Sequence, residues 1–445
     1  MIANLISDMA RAYALPGVKR AAGVVTRLLP IPQPTMLVGP GASARLGQAI
    51  GSFGHHKVLL VTDAVIEKLG LTAGLTDELK ASGTEWVVFG DVTPDAPIPV
   101  IERGIKRYET AGCDAIVAFG GGSVMDAAKT IGLAVANRKH PRELVGYFSG
   151  RHAPPPIYAV PTTAGTGSEV TVAAVISDPE HHRKLVIADT RIVPRMAALD
   201  PCLMTGLPPP ITAATGMDAL THAVEAYIGH WGTAFSDRMA LSAVGMIYKN
   251  LPRAFADGQD LAARENMALA STYAGLAFTR ANVGNVHAIA HQLGGLYHTP
   301  HGLANAIMLA PVLRFSGPAI QAKLALLAVH ARVARASEPE ARRAAKFIDS
   351  VEAMNRSMAI PQVLEALREK DIAALARAAC WEADTNYPVP RTMSQAECEA
   401  LLRAVLPKPA TASVPSRKRP AAAKVPARKA TPTRRAGARA AARAR

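Results

Sequence analysis

From about Pro34 to Pro201 the chain alternates short, nearly continuous apolar runs with stretches of helical spacing. Val58–Val61, Trp86–Phe89, Ala115–Phe119 and Ile157–Val160 predict strands covered on both faces, because a strand with one wet face would alternate polar and apolar side chains. Ile98–Ala111 and Ser123–Val135 predict helices between them. This alternation predicts an α/β unit with a mainly parallel sheet. After Pro208-Pro209-Pro210 the pattern changes. From Ala213 to Leu406 the chain is rich in Ala and Leu at helical spacing, with few β-branched runs, which predicts an all-helical second domain.

A last change comes at Pro407. Residues 408–445 are mostly Ala, Pro, Lys, Arg, Thr and Ser, with no aromatic residue. Such a segment cannot bury enough apolar area to offset chain entropy, so it is expected to be disordered. The expected division is an arm over 1–33, an α/β domain over 34–205, a helical domain over 206–407 and a basic tail over 408–445.

Composition changes the picture mainly through charge. The 445 residues carry a net +15, but residues 408–445 hold twelve Lys/Arg and no acidic residue, leaving +3 for the first 407. The folded part therefore gives no reason to expect a nucleic-acid-binding core. The tail has two readings: a solvated extension, which we favour, or a weak polyanion tether acting by counterion release. The four cysteines, Cys113, Cys202, Cys380 and Cys398, form no C-x-x-C pair, which argues against a disulfide framework and suits a cytoplasmic protein. No uninterrupted apolar run reaches the roughly 18–20 residues of a membrane span. Residues 1–30 are broken by Asp8, Arg11, Pro16, Lys19, Arg20 and Arg27. They read as an arm packed on the domain or as a basic segment on a membrane surface, and the weak apolar face favours packing.

Candidate chemistry begins at Ala115–Phe119, which runs into Gly120-Gly121-Gly122-Ser123 and then Met125-Asp126-Ala-Ala-Lys129. Glycines let a backbone approach an anion, and free N–H groups at a helix start point at it. The alternative is a plain strand–helix turn. A second loop, Pro161-Thr162-Thr163-Ala164-Gly165-Thr166-Gly167-Ser168-Glu169, follows the strand Ile157–Val160, and loops after neighbouring parallel strands share the edge where α/β sheets bind ligands. Asp63, after Val58–Val61, suits an adenosine ribose or a helix N-cap. Asp218 and His222 lie at i, i+4, as do His287 and His291, and His301 follows a Pro. An Asp with three neutral imidazoles suits Fe²⁺, Zn²⁺ or another divalent ion; surface hydrogen bonding is the bland alternative. Glu225 and His298 read as ordinary satisfied polar residues.

The stretches Gly120–Lys129, Pro161–Thr171, Ala214–Tyr227, Asn285–Gly294 and Thr299–Ile307 together resemble the iron-containing (group III) alcohol dehydrogenases of the dehydroquinate synthase-like superfamily. The similarity runs from about Pro34 to Leu406. It implies a Rossmann-like parallel sheet followed by a helical domain, and hydride transfer between NAD and a small-molecule alcohol or aldehyde. It also implies a homodimer or larger assembly. By the same resemblance Asp218, His222, His287 and His301 hold Fe²⁺ or another divalent metal, and His291 relays protons. Gly121, Gly122, Ser123 and Asp126 form the pyrophosphate loop. Thr162, Thr163 and Thr166 form the second cofactor loop, with Lys184 beyond it. Asp63 favours NAD over NADP, and Phe278 stands beside the substrate. Two positions depart from the family. Ala173 replaces the Asn of small-diol reductases, which points to a more apolar alcohol. Asp95 stands where many members carry Asn near the adenine. A hydroxyacid–oxoacid transhydrogenase or a maleylacetate-type reductase is the rival on this scaffold.

Overall fold

The computed structural model describes residues 23–24 and 26–407. The tail and most of the arm lie outside the described residues, and so does their expected behaviour. The order is β1 (Thr35–Val38), α1 (Ala42–Ser52), β2 (Lys57–Val61), α2 (Ala64–Lys68), α3 (Ala73–Ala81), β3 (Glu85–Phe89), α4 (Ile98–Ala111), β4 (Ala115–Gly120) and α5 (Gly122–Asn137). Then come β5 (Gly146–Tyr147), β6 (Ile157–Pro161), β7 (Ala173–Asp178), β8 (Arg183–Ala188) and β9 (Met196–Leu199). The helical half contains α6 (Pro209–Ile228), α7 (Ala234–Ala256), α8 (Leu261–Ala281), α9 (Asn285–Tyr297), α10 (His301–His330), α11 (Glu340–Ser357), α12 (Ile372–Asn386) and α13 (Gln395–Ala404).

Six strands form one parallel sheet in the order β1-β9-β6-β4-β2-β3. Successive side chains of β2 go to opposite faces, Val58 and Leu60 to one core, Leu59 and Val61 to the other, and all four are fully buried. That is why the run is apolar at every position. The four strands read from the sequence are all present. β7 and β8 were not among them. They form an antiparallel pair that joins β5 in a separate three-stranded sheet. The β7 stretch alternates buried and half-buried residues, as a half-exposed strand does.

The chain leaves β2 for β3 on one side and returns to β4 on the other. This makes a switch point outside the carboxyl ends of β2 and β4, where open α/β sheets take ligands. Thr62 Oγ1 donates to the Phe119 carbonyl (2.8 Å), and the Thr162 N–H donates to the Gly120 carbonyl (3.0 Å). The loops after β2, β4 and β6 are thereby held side by side.

The proline triplet marks a start rather than a gap. Pro209 and Pro210 occupy the first turn of α6, where a missing N–H costs nothing. Every residue from Gly216 to Ile228 is buried, so α6 is the central helix of its half. Its carboxyl end is closed by Lys323, whose ammonium donates to the carbonyls of Tyr227, Ile228 and Gly229. Among the described helices α10 is long and apolar enough to cross a membrane although charged residues interrupt it, but 61% of its most apolar stretch is buried in this fold. The described end of the arm packs on the helical half: Arg27 donates to the Gly232 carbonyl (3.3 Å), and Gly23 lies against the Trp231 ring.

Gly167 is a point of close approach between the two halves. Its φ is +60°, and a Cβ there would stand 2.6 Å from the Ser271 carbonyl oxygen and 2.8 Å from the Gly275 Cα. Both obstacles are backbone. Gly167→Ala is therefore expected to lower stability by about 2–4 kcal/mol, combining left-handed strain with overpacking. Denaturant unfolding checks this, and a loss below about half a kcal/mol would show that the loop yields freely.

Candidate active site

Three helices converge on one point. α6 brings Asp218 and His222, α9 brings His287, and α10 brings His301. One ligand-type atom from each lies within 4.8 Å of the others. His287 Nε2 is 4.0 Å and His301 Nε2 is 3.6 Å from Asp218 Oδ1, and His222 Nδ1 is 4.0 Å from Asp218 Oδ2. His222 Nδ1 is buried without a protein hydrogen-bond partner. An anionic oxygen, three imidazoles and an orphaned lone pair fit a divalent cation by donor number, donor type and spacing.

The electrostatics agree. Burial, followed by its imidazole neighbours, holds His287 well below the usual histidine range. Burial likewise lowers His301 to about 4, against the pull of Asp218. Neutral imidazoles keep their lone pairs available for a metal.

Glu225, read from the sequence as merely satisfied, does more than that. Its carboxylate accepts from the backbone N–H groups of Gly284 (2.9 Å) and Val286 (2.7 Å) and meets His287 Nδ1 at 2.6 Å. With its hydrogen on Nδ1, His287 turns the Nε2 lone pair toward the centre. Burial pushes the Glu225 carboxyl up to about 7, while the backbone donors oppose the shift. Asn305, fully buried one turn beyond His301, donates to Asp218 Oδ1 (2.7 Å). Both residues share a face with a ligand, at i+3 from His222 and i+4 from His301, and that spacing was their only sequence signal.

His291 is not among the four clustered residues. Its ring stacks on His301 at 5.4 Å, and its Nδ1 meets Glu382 Oε1 of α12 at 2.6 Å. Tyr387 and Gln292 also donate to Glu382, each at 2.6 Å. Phe278 stacks on His222, with centroids 4.4 Å apart and planes at 19°.

On the sheet side, α5 begins at Gly121 without a side-chain cap or an acidic residue in its first turn, so its leading N–H groups remain for an anion. Gly122 is held against Thr166, since a Cβ there would stand 2.5 Å from Thr166 Cγ2, and Thr163 faces Gly121. Thr162 is buried at the end of β6. Ser123 Oγ accepts from the Asp95 N–H (3.0 Å). Lys184 is no solvated lysine: it pairs with Asp95 and is 10% exposed. Asp63 is the N-cap of α2, with one oxygen accepting from Val65 and Ile66. Asp126 binds the second loop and the strand after it, its two oxygens accepting from Ser168 Oγ (2.9 Å) and the Val175 N–H (3.0 Å).

A nucleotide-type sheet edge beside an Asp/His₃ centre fits an enzyme that uses a nucleotide cofactor and a divalent metal. Comparison with known proteins agrees. Residues 33–201 match the iron-containing alcohol dehydrogenases, and residues 212–406 match the C-terminal part of the Fe-containing alcohol dehydrogenase family. Lactaldehyde reductase of Escherichia coli K12 is 39% identical over 78% of this chain and 91% of that protein. The NAD-dependent methanol dehydrogenase of Bacillus methanolicus is 36% identical over 77% of this chain and 91% of that protein. A crystal structure of 1,3-propanediol oxidoreductase superposes with a TM-score of 0.81 at 38% identity, covering 84% of this chain and 98% of that one. The chain belongs to the iron-containing alcohol dehydrogenase family. It is a metal-dependent oxidoreductase of alcohols.

Proposed function

We propose that the chain oxidises an apolar primary or secondary alcohol reversibly with NAD. The single observation that carries the reaction class is the buried Asp218/His222/His287/His301 cluster. When bound, the metal supplies Lewis acidity toward the alcohol oxygen and NAD accepts the hydride. The chain's own residues do the rest. Asp218, His222, His287 and His301 would hold the metal, and Glu225 orients His287. The opening turn of α5 with Thr162, Thr163 and Thr166 would seat the pyrophosphate, with Lys184 and Asp63 at its margins. The Glu382 contact leaves His291 Nε2 as the nitrogen that takes the alcohol proton outward. Phe278 on His222 and Ala173 in place of a polar side chain make the substrate side apolar.

We also propose a homodimer or larger assembly and a reducing, cytoplasmic setting, the latter supported by a sequence with four cysteines and no C-x-x-C pair. Weak polyanion binding through residues 408–445 rests on charge alone.

The test is NADH formation from a panel of alcohols, using protein stripped of metal and then given Fe²⁺ or Zn²⁺ anaerobically. Activity restored by metal, and greater for butanol than for 1,2-propanediol, is expected. Silence with every metal and alcohol while NAD⁺ still binds would favour a transhydrogenase or a specialised carbonyl reductase.

A further inference from the structure

Lys129, in the third turn of α5, is 1% exposed, and its ammonium is caged by oxygen. Within 3.0 Å of Nζ lie the carbonyls of Ser168 (2.6 Å), Thr171 (3.0 Å) and Ala173 (2.9 Å), and the hydroxyls of Ser168 and Thr171, both at 3.0 Å. Three hydrogens thus face five acceptors, all from one short segment. Asp126, one turn earlier on α5, grips the same region through Ser168 Oγ and the Val175 N–H.

The other side of that segment is fastened to α8. The Gly167 N–H donates to Ser271 Oγ (3.1 Å), Thr272 Oγ1 donates to Glu169 (2.6 Å), and the Val172 N–H donates to Thr279 Oγ1 (3.0 Å). Thr279 adjoins Phe278, whose ring lies on His222. One continuous set of contacts therefore runs from the helix that opens at the glycine turn, through residues 167–173, to a residue of the metal cluster.

We infer that Lys129 is a positioning residue that sets the separation between the cofactor turn and the metal centre by clamping residues 167–173 between them. This rests on the cofactor reading proposed above. A buried ammonium suits the task because charge-assisted bonds to several carbonyls hold position better than apolar contacts do. Burial lowers the ammonium to about 8, while Asp126 and Glu169 support its charge. Hydride transfer is sensitive to such spacing, since a misplacement of about 1 Å can cost roughly a hundredfold in rate.

The experiment compares wild-type and Lys129→Met holoenzyme in metal content, NAD⁺ dissociation constant, turnover, and the primary deuterium isotope effect with an alcohol deuterated at the carbinol carbon. Unchanged metal content is expected, together with weaker NAD⁺ binding, turnover reduced about a hundredfold and a larger isotope effect on kcat. Lowered thermal stability with wild-type NAD⁺ binding, turnover and isotope effect would overturn the inference and leave Lys129 a purely structural residue. Should Lys129→Met fail to fold, Thr171→Val removes one hydroxyl from the cage and should move NAD⁺ binding and the isotope effect in the same directions by less. No movement there overturns the inference equally. A wild-type protein that binds metal but no NAD⁺ would sink the cofactor reading itself, and this inference with it.

Discussion

Replacing His287 with alanine is expected to abolish metal binding and turnover together. His287 supplies one of the four clustered donor atoms from a buried ring, and alanine offers no donor atom in its place. Lewis-acid stabilisation contributes several kcal/mol to such a reaction, so its loss corresponds to a fall in turnover of roughly a thousandfold or more. Metal content by elemental analysis and NADH formation on the same preparation check both halves. Wild-type activity from a metal-free variant would refute the assignment of the centre. The fold should survive, because three of the four clustered residues and the surrounding apolar packing remain.

The second large effect is expected at Glu225. Glu225→Gln keeps the shape but replaces an anionic acceptor with a half-donating amide beside His287 Nδ1 and three backbone N–H groups. His287 would lose its orientation, and metal affinity should fall about 10–100-fold, the usual consequence of losing the group that aims a ligand. Glu225→Ala should also destabilise the fold by about 3–5 kcal/mol, because it strips a buried partner from several donors at once. Chelator competition and denaturant unfolding separate the two effects. Unchanged metal affinity in Glu225→Gln would reduce Glu225 to a cap on the start of α9.

Much of this was legible beforehand, and the reasons are local. The apolar runs of β2, β4 and β6 announce strands buried on both faces, because a central parallel strand has no wet side to leave a polar alternation. The glycine turn announces α5. The i, i+4 spacing of Asp218 with His222 pairs side chains that one helix must place together. The β7–β8 pair was less visible, since half-buried strands of six residues with mixed side chains carry a weak signal. Glu225 was read as an ordinary polar residue, and Lys129 only as the end of the glycine-turn motif, for a different reason: each acquires its role from partners more than 35 residues away in sequence.

The sequence by itself determined the alternating α/β half, the helical half and the concentration of positive charge beyond Pro407, all of which follow from periodicity and composition. Spacing within a helical turn offered Asp218, His222, His287 and His291 as candidates, and the family resemblance of the motifs singled out the donor set. Only the tertiary structure decided how the donors meet. Packing of α6, α9 and α10 brings four ligand atoms from three helices to one point, and the same packing leaves Glu225, Asn305 and Glu382 as the partners of Asp218 and the histidines. It also gave Asp126 Ser168 and Val175 as partners and drew Lys184 into an ion pair with Asp95. A side chain's burial and partner are set by elements distant in the chain, and neither quantity is carried by local pattern.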